Sequence, residues 1–246
     1  MMEANEKKAF LMELQRTPEM YVLISTCTKM PYVYCEPESF DDQVFIFHKQ
    51  EDAVKAMEEL KEKEIPVRVI KLINNQFLSF YSNLYLIGVN GLSVDYGTEN
   101  VQNIQLSELV RRPDDSQLPE GKVKVENPEL QLTTLYYMQE LRRKPGLGSE
   151  QRFRDMEEEL MAHFRKGTYI VPVKDNKNIP LMKMKNGDAF QPIFTDMPEF
   201  LKFCRDGQFK PAVVPYDKLR PVLLEQSKGM LVNPFGFHLV LKKTQL

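Results

Sequence analysis

Tryptophan is missing from this 246-residue chain, histidine and cysteine occur three times each, and glycine only eleven times. Each scarcity excludes something. Cys27, Cys35 and Cys204 are an odd number and too few for a disulfide framework, so reduced, buried thiols are expected. A metal centre needs three or four convergent ligands, whereas His48, His163 and His238 fall in different expected elements, without His-x-x-x-His or Cys-x-x-Cys spacing. Glu159 and His163 are one helical turn apart, the spacing of an ordinary solvated pair. No metal or other cofactor is expected. Neither sign of charge dominates: Lys+Arg 33 against Asp+Glu 35 gives a net charge of −2, with no surplus to neutralise a phosphate backbone. That argues against nucleic acid as principal partner. No apolar stretch approaches about 18 residues, and the start, Met-Met-Glu-Ala-Asn-Glu-Lys-Lys, is charged and helix-like rather than a secretory signal. A soluble cytoplasmic protein with no membrane partner is the expectation. P-loop spacing is absent, and Gly146-Leu-Gly148 lacks both the third glycine and the preceding strand of a dinucleotide loop.

What is present is a repeat. The run Gly229-Met-Leu-Val-Asn-Pro-Phe-Gly-Phe-His-Leu-Val-Leu241 has a fainter counterpart in Leu84-Tyr-Leu-Ile-Gly-Val-Asn-Gly-Leu-Ser-Val-Asp-Tyr96. Both read as strand, tight turn, strand. Placing Gly91 on Gly236 sets an offset of 145 (236 − 91), which also pairs Pro66 with Pro211; upstream the register drifts, with Phe47 on Phe194 and Pro31 on Pro180. An internal duplication is inferred. In the second hairpin Asn233, Pro234 and Gly236 suit the first, second and fourth places of a type I turn, with Gly236 supplying a positive φ; Asn90-Gly91 would do the same in the first.

Patterning then supplies the elements. In the second copy Tyr169–Lys174, Ile179–Met184, Ala189–Phe194 and Lys210–Pro215 read as strands. Pro172, Pro192 and Pro215 confine these strands to edges, bulges or entry at the proline. Asp196 is a plausible cap for a helix that puts Met197, Leu201 and Cys204 on one face, and Asp217 for another carrying Leu219, Val222 and Leu223. In the first copy strands are expected at Met20–Thr26, Pro31–Cys35, Gln43–Phe47 and Ile65–Leu72, with helices through Ala53–Leu60 and Asn75–Asn83. A helix opens each copy, Phe10, Leu11 and Leu14 matching Phe153, Met156, Leu160 and Phe164. The fold class is therefore α+β: two tandem domains of pattern β-β-β-α-β-α-β-β, each a mixed, mostly antiparallel sheet, at 1–97 and 150–246. A partly helical connector, 98–149, joins them. In it Arg111–Ser116 and Leu118–Gly121 read as loops, Asn127-Pro128 as a helix start and Pro145-Gly146 as its end.

The stretch Lys210-Pro-Ala-Val-Val-Pro-Tyr-Asp-Lys-Leu-Arg-Pro-Val-Leu-Leu-Glu225 with Gly229–Leu241, together with Ile179-Pro-Leu-Met182 and Phe190–Phe203, resembles the N-terminal domain of the SseB family, named for an enhanced serine sensitivity phenotype. The resemblance covers roughly 167–241. Residues 18–97 resemble the same domain more weakly, with Gly88-Val-Asn-Gly91 where the family shows its Asn-Pro turn. The resemblance implies a bacterial cytoplasmic α+β protein without an established enzymatic activity or cofactor. The name is shared with a type III secretion translocon component, whose coiled-coil or membrane-active helices have no counterpart in this sequence, so a secretion-related label could arise from the name alone.

Aromatic and basic residues alternate from Phe200 through Lys202, Phe203, Arg205, Phe209 and Lys210, a pattern that single-stranded nucleic acid could use. Burial of each apolar member contributes about 1.5–3 kcal/mol, so the stripe is read as core. No catalytic set assembles. The leading reading is a non-enzymatic adaptor, monomeric with an internal pseudo-two-fold, whose binding surface for an unknown protein partner lies around Phe235 and His238. The alternatives are a sensor binding an amino acid or metabolite between the repeats, and a hydrolase or thiol enzyme.

Overall fold

A computed structural model describes residues 4–112, 123–143, 150–175 and 178–246. Of the loop expected at 111–116 only Arg111 and Arg112 are described; the loop expected at 118–121, Pro145-Gly146 and Gly146–Gly148 lie outside the described residues. The chain divides into two compact units: residues 1–114 with 142–144, and residues 115–141 with 145–246. Both are α+β.

Unit 1 opens with α1 (Ala4–Arg16), followed by β1 (Glu19–Ser25), β2 (Val33–Cys35), β3 (Asp42–Phe47), α2 (Gln50–Glu62), β4 (Val67–Ile73), α3 (Asn74–Leu86), β5 (Gly91–Val94), β6 (Gln102–Gln105) and the single turn α4 (Leu106–Leu109). One sheet takes all six strands in the order β4-β1-β3-β5-β6, with β2 beside β3. Every pairing is antiparallel except β3 with β5. A parallel neighbour cannot be reached by a hairpin, and the intervening α2-β4-α3 makes the crossover. Ala53, Ala56 and Leu60, spaced as one face of α2, pack on Tyr21, Leu23, Phe45 and Phe47 of the sheet. Phe45 also stacks on Tyr96, with ring centroids 4.3 Å apart.

Unit 2 contains α5 (Pro128–Arg143, all but its last two residues), α6 (Gln151–Lys166), β7 (Thr168–Val173), β8 (Met182–Lys183), β9 (Ala189–Ile193), α7 (Met197–Phe203), β10 (Lys210–Pro215), β11 (Gly229–Val232) and β12 (Leu239–Lys242). Its ladders form a four-stranded sheet, β12-β11-β9-β8, and a pair, β10-β7. An antiparallel bridge between Ile170 and Phe194 joins β7 to the end of β9. Read through that bridge, the order β10-β7-β9-β11-β12, with β8 beside β9 and β9 parallel to β11, repeats the order of unit 1 strand for strand.

Proline explains why one sheet is continuous and the other is not. The bridge pair Ile170–Phe194 occupies the place of Tyr21–Phe47, so Phe194 and Phe47 correspond at an offset of 147. Pro192 then stands where unit 1 has Phe45. The carbonyls of Ala189 and Ile193 face β11, accepting from Lys228 and Asn233, so the nitrogen of Pro192 faces the β7 side and has no hydrogen to give. Asn127 fills in at this seam, its Nδ2 donating to the carbonyls of Thr168 and Thr195 at 2.8 Å each.

Three local expectations change. Leu84–Leu86, read as a strand, is the last turn of α3, so Asn90-Gly91 joins a helix to β5 rather than closing a hairpin. Gly91 opens β5 as Gly229 opens β11, which sets the offset there at 138 rather than 145. The helix expected after Asp217 is a 3-10 turn, Tyr216–Lys218, followed by four-residue hydrogen-bonded turns at Leu219–Val222 and Arg220–Leu223. Pro221 cannot donate to Asp217 and its ring would crowd that carbonyl, which stops α-helix propagation. Substituting Gly229 by Ala drives a Cβ into the Leu241 backbone carbonyl across the β11–β12 ladder, whereas at Gly91 the obstacle is the flexible side chain of Gln43, its Cγ at 2.9 Å. Chemical denaturation should show Gly229→Ala losing about 1–3 kcal/mol and Gly91→Ala clearly less.

Candidate functional site

In both units the chain leaves the parallel strand β5 or β11 through a residue of positive φ that ties the strand to the end of its parallel neighbour. In unit 1 the residue is Asp95, φ 53°; in unit 2 it is Asn233, φ 46°. Each donates its N–H to the third strand, Asp95 to Ile46 O at 2.8 Å and Asn233 to Ile193 O at 3.0 Å. Each also accepts, through a side-chain oxygen, the N–H of the residue just past that strand: His48 N to Asp95 Oδ1, 2.9 Å, and Thr195 N to Asn233 Oδ1, 3.0 Å. Asp and Asn suit this place because a short polar side chain tolerates left-handed backbone and reaches the neighbouring N–H.

The second side-chain atom distinguishes the units. Asp95 Oδ2 lies 2.8 Å from His48 Nδ1, an ionic pair, while Asn233 Nδ2 donates to Thr195 Oγ1 at 2.7 Å. The hydrogen bond to Asp95 is the largest of the influences that raise the His48 pKa above 6.5; burial opposes it, and Glu13 on α1 assists. For Asp95 burial pushes upward, but the side-chain and backbone hydrogen bonds from His48 outweigh it and hold the carboxyl below its ordinary value. The His48 ring meets the edge of Phe10 of α1. An imidazole so oriented resembles the base of a nucleophilic triad, but its Nε2 is buried with no hydrogen-bond partner among the described residues.

In unit 2 the clip continues into a buried polar network. Thr195 Oγ1 donates to Asp196 Oδ2 at 2.9 Å, Gln131 Nε2 donates to the same oxygen at 2.8 Å, and Asp196 Oδ1 accepts the N–H of Glu199 at 2.8 Å, capping α7. Burial raises the Asp196 pKa, with the three hydrogen bonds opposing. Glu199 is also buried and also raised by burial, offset in part by Lys202, which pairs with its Oε1. Its Oε2 lies under the Asn233–Gly236 turn, where a Cβ on Gly236 would come within 2.7 Å. Gly236 is therefore needed for close approach; the positive φ values of the turn belong to Asn233 and His238.

With the cap fixed, α7 is rotated from its expected phase, so that of the stripe Met197, Leu201 and Cys204 only Cys204 is buried. Glu199, Phe200 and Cys204 face inward, Phe200 and Cys204 packing with Val125, Ile170 and Phe194, while Met197 and Leu201 are exposed. Phe235, more than half exposed at the tip of the turn, has its ring centroid 6.3 Å from that of Phe203. Pro234 is buried, and His238 is half-buried with Nδ1 3.1 Å from the Pro234 carbonyl, so the histidine serves the turn. Asn90 lies elsewhere, its Oδ1 accepting from Asp42 N and its Nδ2 donating to Asp41. Of the cysteines only Cys204 is buried; Cys35 ends the short β2 exposed, opposite Asp42, and Cys27 is half-buried. Although the residue is exposed, partial desolvation of the sulfur together with the charges of Asp42, Glu36 and Asp41 pushes the Cys35 thiol up, away from thiolate chemistry. Among the described residues no group of three potential ligands converges on a metal position, and no helix is long and apolar enough to cross a membrane.

No family model matches this sequence, and no curated protein matches it. Among solved structures, Anabaena Tic22, described as a protein of protein transport, is similar over 89% of this chain and 85% of its own at 10% identity and a TM-score of 0.23. Tic22 from Plasmodium falciparum is similar over 96% of this chain and 92% of its own, at 13% identity and a TM-score of 0.23. Scores this low bear on neither fold nor function here.

The two clips predict different pH responses. His48 is raised in the folded state, so its contribution is complete below the unfolded pKa and fades as pH rises through the folded value; the lowered Asp95 contributes above its unfolded pKa and fades as pH falls. The stability difference between wild type and His48→Gln should shrink from mildly acidic to mildly alkaline pH, and NMR titration should place His48 above 6.5 and lower in Asp95→Asn. For Asn233→Ala, which strands the Thr195 N–H and removes the donor to its hydroxyl, denaturation should show a loss of about 2–4 kcal/mol with no such pH dependence.

Proposed function

We propose that this protein is a non-enzymatic, SseB-type interaction protein made of two related α+β repeats, and that unit 2 binds a protein partner through Phe235 with Met197 and Leu201. The shared strand order and the paired Asp95 and Asn233 clips support the duplication. The observation that carries the binding surface is the phase of α7: two large apolar side chains one turn apart point to solvent while a glutamate of the same helix is buried. Burying an acid and exposing Met and Leu is unfavourable for an isolated unit, since a buried carboxyl loses hydration and the apolar pair gains nothing from water. The network beneath serves to hold the turn and so to fix where Phe235 stands.

A photo-crosslinking phenylalanine analogue at position 235 should trap a discrete protein adduct in cells, and Met197→Ser with Leu201→Ser should abolish the adduct while leaving the denaturation midpoint within a few degrees. Equal trapping from the exposed position 220 would overturn the surface.

A further inference from the structure

The fourth strand of each unit is a sheet edge, and the two edges are built differently. In unit 2, Pro211 of β10 pairs directly with Pro172 of β7, and the bond from Tyr216 N to Gly167 O sets the alternation. Residues 211, 213 and 215 therefore turn their backbone outward, and two of these three are prolines with no N–H to offer. Such an edge is closed to strand addition. In unit 1 the bonds from Thr26 N to Pro66 O and from Asn74 N to Pro18 O assign the even residues of β4 to β1 and leave 67, 69, 71 and 73 facing outward. The pairings of Tyr21 with Lys71 and of Ile170 with Val213 align the two edges, so Val69 and Ile73 stand where β10 has its prolines. Ile73 N is taken by the Gln76 side chain; the outward groups of Val67, Val69 and Lys71 have no hydrogen-bond partner among the described residues. Seven residues without proline pair β1 along one side only, with Ile73 exposed and Ile70 and Leu72 half-buried.

We propose that β4 is the seam of a homodimer, pairing antiparallel with β4 of a second copy about a two-fold axis at Ile70. This goes beyond the reading of Phe235 and does not depend on it. The sequence Val67-Arg-Val-Ile-Lys-Leu-Ile73 is complementary to itself in that register alone. With the axis at residue 70 all seven residues pair: Val67 with the partner's Ile73, Arg68 with the partner's Leu72, Val69 with the partner's Lys71. An axis at Lys71 would oppose two lysines, and an axis at Val69 would leave Leu72 and Ile73 unpaired. In the favoured register Lys71 keeps its own ion pair with Glu19, the stem of Arg68 lies along leucine, and the outward N–H and C=O groups of Val69 and Lys71 are exchanged across the axis. Symmetric pairing of one patch with itself closes the assembly at two copies.

The full chain should sediment at twice 28.8 kDa at tens of micromolar. Val69→Pro, which gives β4 the residue that β10 carries at the same place, should halve that mass while leaving the far-ultraviolet spectrum and cooperative unfolding in place. In a chain with Cys27 and Cys35 replaced by Ser, Ile70→Cys should form a disulfide-linked dimer under mild oxidation, because the two axis residues form a non-hydrogen-bonded pair with Cα atoms about 4.5 Å apart, within disulfide range. Arg68→Cys, facing the partner's Leu72, should crosslink at least tenfold less. A monomeric wild type, or a dimer that survives Val69→Pro and crosslinks equally through both cysteines, overturns the proposal.

Discussion

The parallel pairing of the third and fifth strands is the constraint on which both units rest. Hairpin neighbours such as β2 with β3, β5 with β6 and β11 with β12 come together locally, but β3 with β5 and β9 with β11 meet only after an intervening strand and the segments around it have been laid down. Loop-closure entropy opposes such contacts until enough of them form together. The clip at Asp95 and at Asn233 stands where the later strand ends, and its main-chain and side-chain bonds lock the two parallel strands at their shared end. One backbone requirement is met by two chemistries, a carboxylate holding a histidine in one unit and an amide holding a threonine in the other.

Around this shared centre, proline decides how far each sheet extends. Pro192 reduces a ladder to a bridge, and beyond the other side of that bridge the Asn127 side chain ties the two strands together by donating to Thr168 O and Thr195 O. The facing prolines of β7 and β10 cost that pair nothing, since both nitrogens turn away from the shared ladder. Without prolines, the sheet of unit 1 is continuous and its outer strand remains receptive.

Strands and helices with simple periodicity were legible in the sequence: β1, β3, β4, β10 and the faces of α2 and α6 follow directly from their apolar spacing. The α+β class was legible for the same reason. The strand-by-strand correspondence of the two units was not, because Gly91 follows Asn90 and Gly236 closes the turn that begins at Asn233, which invites superposition, while the matching places of Gly91 and Gly229 depend on long-range pairing. Helix α7 misled for a related cause. Met197, Leu201 and Cys204 fit a helical stripe, yet the phase is set by the Asp196 cap and by a glutamate admitted beneath a glycine in a distant turn. The clip itself had a faint signal, an Asp or Asn ending an apolar strand in both units, and only the spatial neighbours His48 and Thr195 give it meaning.

Asn233 has a particular vulnerability by type, since an asparagine ages when the next main-chain nitrogen attacks its side-chain carbonyl, closing a ring and expelling ammonia. Here the following residue is Pro234, whose nitrogen bears no hydrogen and cannot close that ring. The amide that donates to Thr195 is thereby shielded from the commonest route of spontaneous conversion to a carboxylate, which could accept but no longer give. The proline beside it thus acts as a preservative, keeping the second clip in working order over the lifetime of the molecule.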